Sequence, residues 1–328
     1  MNILITGGLG AIGSWVTRQL IEQGDRAVTY SRHIDNTLVR DIVDKIEMVT
    51  GDIMDLPTLL HTIKKYKIQR ICHLSAMLGE LAQANPWLGF QVNAIGTLNV
   101  LEAARIMDVE RVVFTSSIAV FIPFAGEHIY PTYKPITEEH PKYPTARRVG
   151  VYGTAKLASE LLCLHYNQEF GLDSVVLHFC PLLGIARKSR GRGRITALHS
   201  IMVENAMLGK PTIIPRGGEE KTDLLYVKDA ARSIVLACFA QNLKHHNFNI
   251  GTGKSYSLED LASAIRKIYP EAVFEIGPGL DPIGVGNIYC VFDSSRARNE
   301  LGYSPKFTLE EAVKDCVETV KWLDEKRS

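Results

Sequence analysis

"LITGGLGAIGSW", residues 4–15, decides the fold. An apolar strand ends at Thr6, then Gly7, Gly10 and Gly13 follow at intervals of three before a helical stretch opens near Ser14. Glycine permits a tight turn, a close backbone approach to a pyrophosphate and close packing of helix on strand, while the helix N-terminus leaves N–H groups for an anion. Gly7, Gly10, Ala11, Ile12 and Gly13 are therefore candidate contacts to the phosphates of a dinucleotide. The position of the loop, at the first strand-to-helix turn, separates it from a stray glycine pattern.

Outward from this loop, short apolar runs alternate with helical stretches: "RAVTY" (26–30), "IEMVT" (46–50), a helix from Leu56, "RICHLS" (70–75), a helix from Asn93 to Met107, "RVVFTS" (111–116), a helix from Val151 to Phe170 and "SVVLHF" (174–179). Such repetition implies parallel strands with helices on both faces, an α/β doubly wound parallel sheet of the Rossmann type. After residue 180 the rhythm breaks into an arginine-rich loop, a helix (about 196–208), a strand (211–214), a strand and helix within 223–240, a helix opened by Ser257 with Asp260 as a capping box, and a helix from Leu309. The expected division is a dinucleotide-binding domain, 1–179 with about 222–250, and a smaller discontinuous C-terminal substrate lobe, about 180–221 with 251–328. Function is expected in the cleft between them.

The 37 lysines and arginines nearly cancel 36 aspartates and glutamates, so no global field marks the chain for nucleic acid or an anionic membrane. Six cysteines without a C-x-x-C pair suit buried thiols in a reducing, cytoplasmic setting. "MNILITGG" lacks the basic lead of a secretory signal, and no stretch is expected to span a membrane. No metal-ligand pattern occurs. "GTGKS" (251–255) imitates a Walker A ending, but Phe248 stands where its first glycine belongs, which excludes a nucleoside-triphosphatase.

"VYGTAK" places Tyr152 and Lys156 one turn apart on a helix. An ammonium beside a phenol favours the phenolate and makes proton exchange feasible. Ser117, in "FTSSIAVF", ends a strand and supplies a hydroxyl for the same substrate oxygen. A second Y-x-x-x-K, Tyr130 to Lys134, lies among Pro123, Pro131, Pro135, Pro141 and Pro144 and is not expected to form a helix face. In "AVTYSRH" (27–33) the acid that receives the adenosine ribose hydroxyls in NAD enzymes is replaced by Ser31. Ser31 and Arg32, with His33 beside them, suit a 2′-phosphate, so NADP is expected over NAD.

With "TGGLGAIG", "GDIMD", "HLSAM", "VNAIGTLNVLEAAR", "PITEEHP", "YGTAK", "DLLYVKDAA", "NIGTG" and "DSSRARNELGYSP" in order, nearly the whole chain resembles the extended short-chain dehydrogenase/reductase family of epimerase/dehydratase type. The resemblance implies Tyr152 as acid/base, Lys156 lowering its pKa and binding the nicotinamide ribose, and Ser117 orienting the substrate oxygen. It also implies that Asp52 and Ile53 flank the adenine, that Leu74, Ser75, Ala76, Met77 and Asn93 line the cofactor, and that helices 93–107 and 152–170 pair in a homodimeric four-helix bundle.

Departures from the family pattern narrow the reaction. Ile118 and Ala119 follow Ser117 where dehydratases carry acids, and Thr222 precedes Asp223 where nucleotide-sugar enzymes carry a diphosphate-binding arginine. Arg187, Arg190, Arg192 and Arg194 are possible compensators, with Arg192 a candidate substrate contact; His199 is read as structural. "HLSAMLGELAQANP" is similar to the corresponding stretch of bacterial L-threonine dehydrogenases. The expected function is an NADP-dependent oxidoreductase interconverting a secondary alcohol and a carbonyl on a small, non-nucleotide substrate, anionic ones included. The alternatives are a nucleotide-sugar epimerase with tightly bound NAD(P) and a non-catalytic NADP-binding regulator.

Overall fold

A computed structural model describes residues 1–142, 150–184, 198–286 and 288–325. Arg187, Arg190, Arg192 and Arg194 lie outside the described residues. The strands are β1 (Asn2–Thr6), β2 (Arg26–Ser31), β3 (Glu47–Thr50), β4 (Arg70–His73), β5 (Arg111–Thr115), β6 (Asp173–Phe179), β7 (Leu182–Leu183), β8 (Thr212–Ile214), β9 (Lys221–Thr222), β10 (Leu225–Tyr226), β11 (Asn247–Ile250), β12 (Tyr256–Ser257) and β13 (Phe274–Ile276). The helices are α1 (Gly13–Glu22), α2 (Leu56–Tyr66), α3 (Gly79–Ala84), α4 (Pro86–Phe90), α5 (Gly96–Ile106), α6 (Val151–Phe170), α7 (Leu198–Met207), α8 (Val227–Phe239), α9 (Leu258–Arg266), α10 (Ser295–Leu301) and α11 (Leu309–Glu325).

Seven strands form one sheet in the order β11-β6-β5-β4-β1-β2-β3, every pair parallel. Apart from the edge strand β3, both faces are buried, which is why these strands read as continuous apolar runs. Ile3, Ile5, Ala27, Cys72, Val113, Val175 and Leu177 face a cluster that includes α1 and α8 residues. Leu4, Val28, Ile71, Val112, Phe114 and Val176 face the α2, α5 and α6 side. A third cluster gathers residues of β7, β8, α7, α9 and α11, with β13 beside β8 in a small parallel pair.

Local chemistry sets the ends of the helices. Asp55 accepts the Thr58 N–H at 3.1 Å and Pro57 occupies the first turn of α2. At α9 the expected Ser257–Asp260 capping box forms in both directions. The helix α6 runs over the expected Val151–Phe170 and stops at Gly171, whose left-handed φ of 69° lets its N–H close on Asn167. The stretch expected as one helix from Asn93 instead begins with a π-turn, Gln91–Ile95, between α4 and α5. The Tyr130–Lys134 segment is non-helical, and Lys134 pairs there with Glu127. All six cysteines are buried and free of disulfides, and among the described residues no helix is long and apolar enough to cross a membrane.

Candidate active site

Three loops meet beyond the carboxyl ends of β1, β4 and β5, where the strand order reverses around β1. In the first, Gly7 has φ +73° and donates to the Tyr30 carbonyl at 2.9 Å, so the glycine loop is fastened to the end of β2. A Cβ on Gly13 would stand 2.2 Å from the Gly7 carbonyl oxygen and 2.7 Å from the Gly8 Cα, so only glycine lets α1 start this close to the turn. No acidic side chain occupies the first turn of α1, and Ile12 gives no side-chain cap. Among the described residues the N–H groups of Ala11, Ile12 and Gly13 have no acceptor, and they emerge at the positive end of the helix dipole. This cradle fits a pyrophosphate.

The second loop rests against the first: a Cβ on Gly7 would lie 3.2 Å from the Ser75 nitrogen. Thr6 Oγ1 accepts the N–H groups of Leu74 and Ser75 at 3.2 and 3.3 Å and also contacts His73 Nδ1 at 2.6 Å. Met77 is held at both backbone groups by the Asn93 amide, each at 2.8 Å. Asn93 is buried and holds this loop in place. Ile53 is buried too, packed where a Cβ on Gly96 would fall, and its carbonyl accepts from Asn99 at 3.0 Å. Asp52 Oδ1 caps the Met54 N–H at 2.9 Å. Ser31 ends β2 beside the glycine loop, and Arg32 and His33 follow, exposed.

In the third loop, Ser117 caps a short 3-10 turn, Ile118–Val120, accepting the Ala119 N–H at 3.2 Å. The first turn of α6 packs directly on it, because a side chain at Gly153 would meet the Ala119 carbonyl at 2.6 Å. Ser117 and Tyr152 are thereby brought into hydrogen-bonding contact. Burial pushes the Tyr152 phenol up to about 12, against the opposing pull of Ser117. Lys156 is 2 % exposed; its Nζ donates to the Thr115 carbonyl at 2.6 Å and lies 5.9 Å from the centre of the Tyr152 ring. Burial draws its pKa down to about 8, with Glu160 opposing. His73, drawn down to about 3 by burial and by Lys156, stays neutral beneath it. The site thus holds two hydroxyls converging on one point and an ammonium with donor capacity left.

Two residues of the late segments serve the fold. The Thr222 hydroxyl donates to the Asp223 carbonyl at 3.2 Å. The Asp223 carboxylate is spent on the N–H groups of Thr252, Gly253 and Phe292, at 2.8, 3.1 and 3.3 Å. His199 lines a small cavity with Glu220, Thr222, Tyr256 and Tyr289, and burial draws its pKa down to about 4. Among the described residues no three His, Cys, Asp or Glu side chains gather as metal ligands.

Sequence reasoning missed a set of buried polar residues at the carboxyl ends of the strands: Thr6, His73, Thr115, Ser116, His178 and Asn249. A buried polar group must find a partner, and these find one another or a helix behind the site. Each looks like an ordinary strand residue until the topology sets the strand ends side by side.

Residues 3–251 match the profile of the NAD dependent epimerase/dehydratase family. A putative UDP-glucose 4-epimerase of Methanocaldococcus jannaschii is 29 % identical over 97 % of this chain and 98 % of its own length. Among solved structures, a UDP-glucose 4-epimerase of Thermotoga maritima crystallised with UDP-glucose superposes with a TM-score of 0.82 at 26 % identity, covering 98 % of this chain and 99 % of that one. A partial consensus L-threonine 3-dehydrogenase gives a TM-score of 0.82 at 25 % identity, covering 98 % and 100 %.

Proposed function

The chain belongs to the NAD dependent epimerase/dehydratase family, and from that premise we propose that it oxidises a secondary alcohol carbon of its substrate through Tyr152, Lys156 and Ser117 and then reduces the same carbon again, as a nucleotide-sugar epimerase does. The observation that carries this reading is the meeting of Ser117, Tyr152 and Lys156 beside a pyrophosphate cradle. Relatives named as UDP-glucose 4-epimerases cover nearly the whole chain and favour epimerisation over the net oxidation expected from the sequence. The nicotinamide dinucleotide, when bound, accepts and returns the hydride. The N–H groups of Ala11, Ile12 and Gly13 would hold its pyrophosphate. Ser117 donates a hydrogen bond to the reacting oxygen, Tyr152 exchanges its proton, and the Lys156 ammonium favours the phenolate.

Net dehydrogenation of a small alcohol is the second reading. Thr222 favours it, offering no cation where the family holds a diphosphate, and so does the likeness to the L-threonine 3-dehydrogenase structure. Incubation with UDP-glucose separates the two. An epimerase forms the 4-epimer without accumulating reduced cofactor; an absence of any new sugar, with reduced cofactor accumulating on L-threonine or another hydroxy acid, would establish the second reading.

Ser31 and Arg32 support NADP over the family's eponymous NAD. Arg32→Ala should raise KM or Kd for NADP roughly tenfold or more, the worth of a charge-assisted bond to a phosphate, and leave NAD unchanged. Equal effects on both would return the preference to NAD. The cofactor would occupy 1–179 with about 222–250, and the substrate the smaller lobe. The resemblance's homodimer is supported by Leu161 and Leu164, large apolar residues exposed on α6. Buried cysteines without disulfides fit a cytoplasmic location.

A further inference from the structure

Glu160 lies one turn beyond Lys156 on α6, with its carboxylate buried. Three side chains reach it from three other places in the chain. The Ser116 hydroxyl, just past β5, donates to Oε1; His178 Nε2, on β6, stands 3.1 Å from Oε1; Lys142 Nζ stands 2.7 Å from Oε2. Ser116 adjoins Ser117, and Lys156 grips the preceding carbonyl, that of Thr115. Successive turns of α6 therefore hold the Ser117 loop at three points: Gly153 against Ala119, Lys156 on Thr115 and Glu160 on Ser116.

Resting on the reading that Ser117, Tyr152 and Lys156 carry the reaction, we propose that Glu160 is a positioning residue. It fixes the serine of one element against the tyrosine and lysine of another, sustains the charge on Lys156, and holds Lys142, where the described stretch after β5 ends, to the same point. A glutamate serves both tasks because its two oxygens separate them: Oε1 takes Ser116 and His178, and Oε2 takes Lys142. His178 is itself fixed by Asn249 Oδ1, 3.0 Å from its Nδ1, so the anchor extends to β11.

The charges around the pair define the expected signs. Glu160 faces Lys142, His178 and the Cys163 thiol; Lys156 faces Glu160, Cys163, Tyr152 and, from β4, a neutral His73. Burial alone would push the Glu160 carboxyl up, but His178 and Lys142 outweigh it and hold it down to about 2. Glu160 is thus an anion throughout the working pH range, and its charge raises the Lys156 pKa.

The test titrates Lys156 Nζ in the folded full chain by lysine-selective 15N NMR, with the signal assigned by its loss in Lys156→Met. Glu160→Gln should move the Lys156 midpoint to lower pH by roughly one unit, as expected for a charge about one helical turn away, and Lys142→Met, which removes the cation paired with Glu160, should move it the opposite way. Ser116→Ala keeps the carboxylate, so the lysine midpoint should stay while the Tyr152 ring 13C signal shifts as Ser117 loosens. A Lys156 midpoint unmoved in both charge variants, or parental lysine and tyrosine signals in Ser116→Ala, overturns the proposal. These signals require no turnover. Full activity in Tyr152→Phe would remove the assigned chemistry and leave the titration of Lys156 to report on Glu160 separately.

Discussion

Tyr152→Phe is expected to lower turnover by about 10²–10⁴-fold, the range for removing a positioned general acid or base, while cofactor affinity stays within a few-fold. The change deletes one oxygen from a site whose other parts remain. Ser117 would still offer its hydroxyl, and Lys156 would still donate to the Thr115 carbonyl. The pH dependence has a stated sign. A lysine with a pKa near 8 keeps its ammonium below that pH and loses it above, so assistance to Tyr152 should fade as pH rises through about 8. Initial rates from pH 6 to 10 in parent and variant measure both effects. A Tyr152→Phe enzyme with the parental rate would refute the assignment of the proton to this phenol.

Gly13→Ala is expected to abolish dinucleotide binding at concentrations that saturate the parent and to destabilise the fold by roughly 1–3 kcal/mol, the cost of forcing a methyl into packed surroundings. The added carbon would meet the Gly7 carbonyl and the Gly8 Cα, both backbone, so no side chain can rotate away. Relief requires α1 to retreat from the turn, which carries the N–H groups of Ala11 and Ile12 away from the pyrophosphate position. Gly10→Ala is the informative contrast. Its Cβ would meet only the Gly7 carbonyl at 3.1 Å and otherwise open space, so the apo fold should tolerate it and the loss should appear when cofactor is added. Thermal melting and calorimetric titration with NAD and NADP separate the two; Gly13→Ala binding like the parent would show that the loop does not cradle phosphate.

Legibility from sequence followed the range of the interaction. The glycine loop, the Ser257–Asp260 box and the limits of α6 depend on neighbours within a few residues, and all three stand where spacing placed them. Strands buried on both faces announced themselves as apolar runs. By contrast, the contacts of Glu160 join residues 18 to 44 positions apart, and Asn249 reaches Glu138 across 111. No periodicity marks such partners, because burial makes them necessary and topology makes them neighbours. Asn93 shows the same limit from another side. The resemblance implies a place along the cofactor for it, but its hold on both backbone groups of Met77 depends on where the loop after β4 runs.

The π-turn at Gln91–Ile95 has an evolutionary consequence. A π-turn absorbs one extra residue inside a helix, so the faces before and after it keep their directions although the spacing between them along the chain is one residue longer. Val100, Leu101 and Ala104 are buried beyond it, and Thr97 bonds the Asn93 carbonyl at 2.6 Å across it. A one-residue deletion at Gln91–Val92 would regularise the helix and leave this face on the core, whereas the same deletion within Gly96–Ile106 would turn every later residue by about 100°. Chain length is therefore negotiable by one residue at the π-turn and fixed in the helix that follows it.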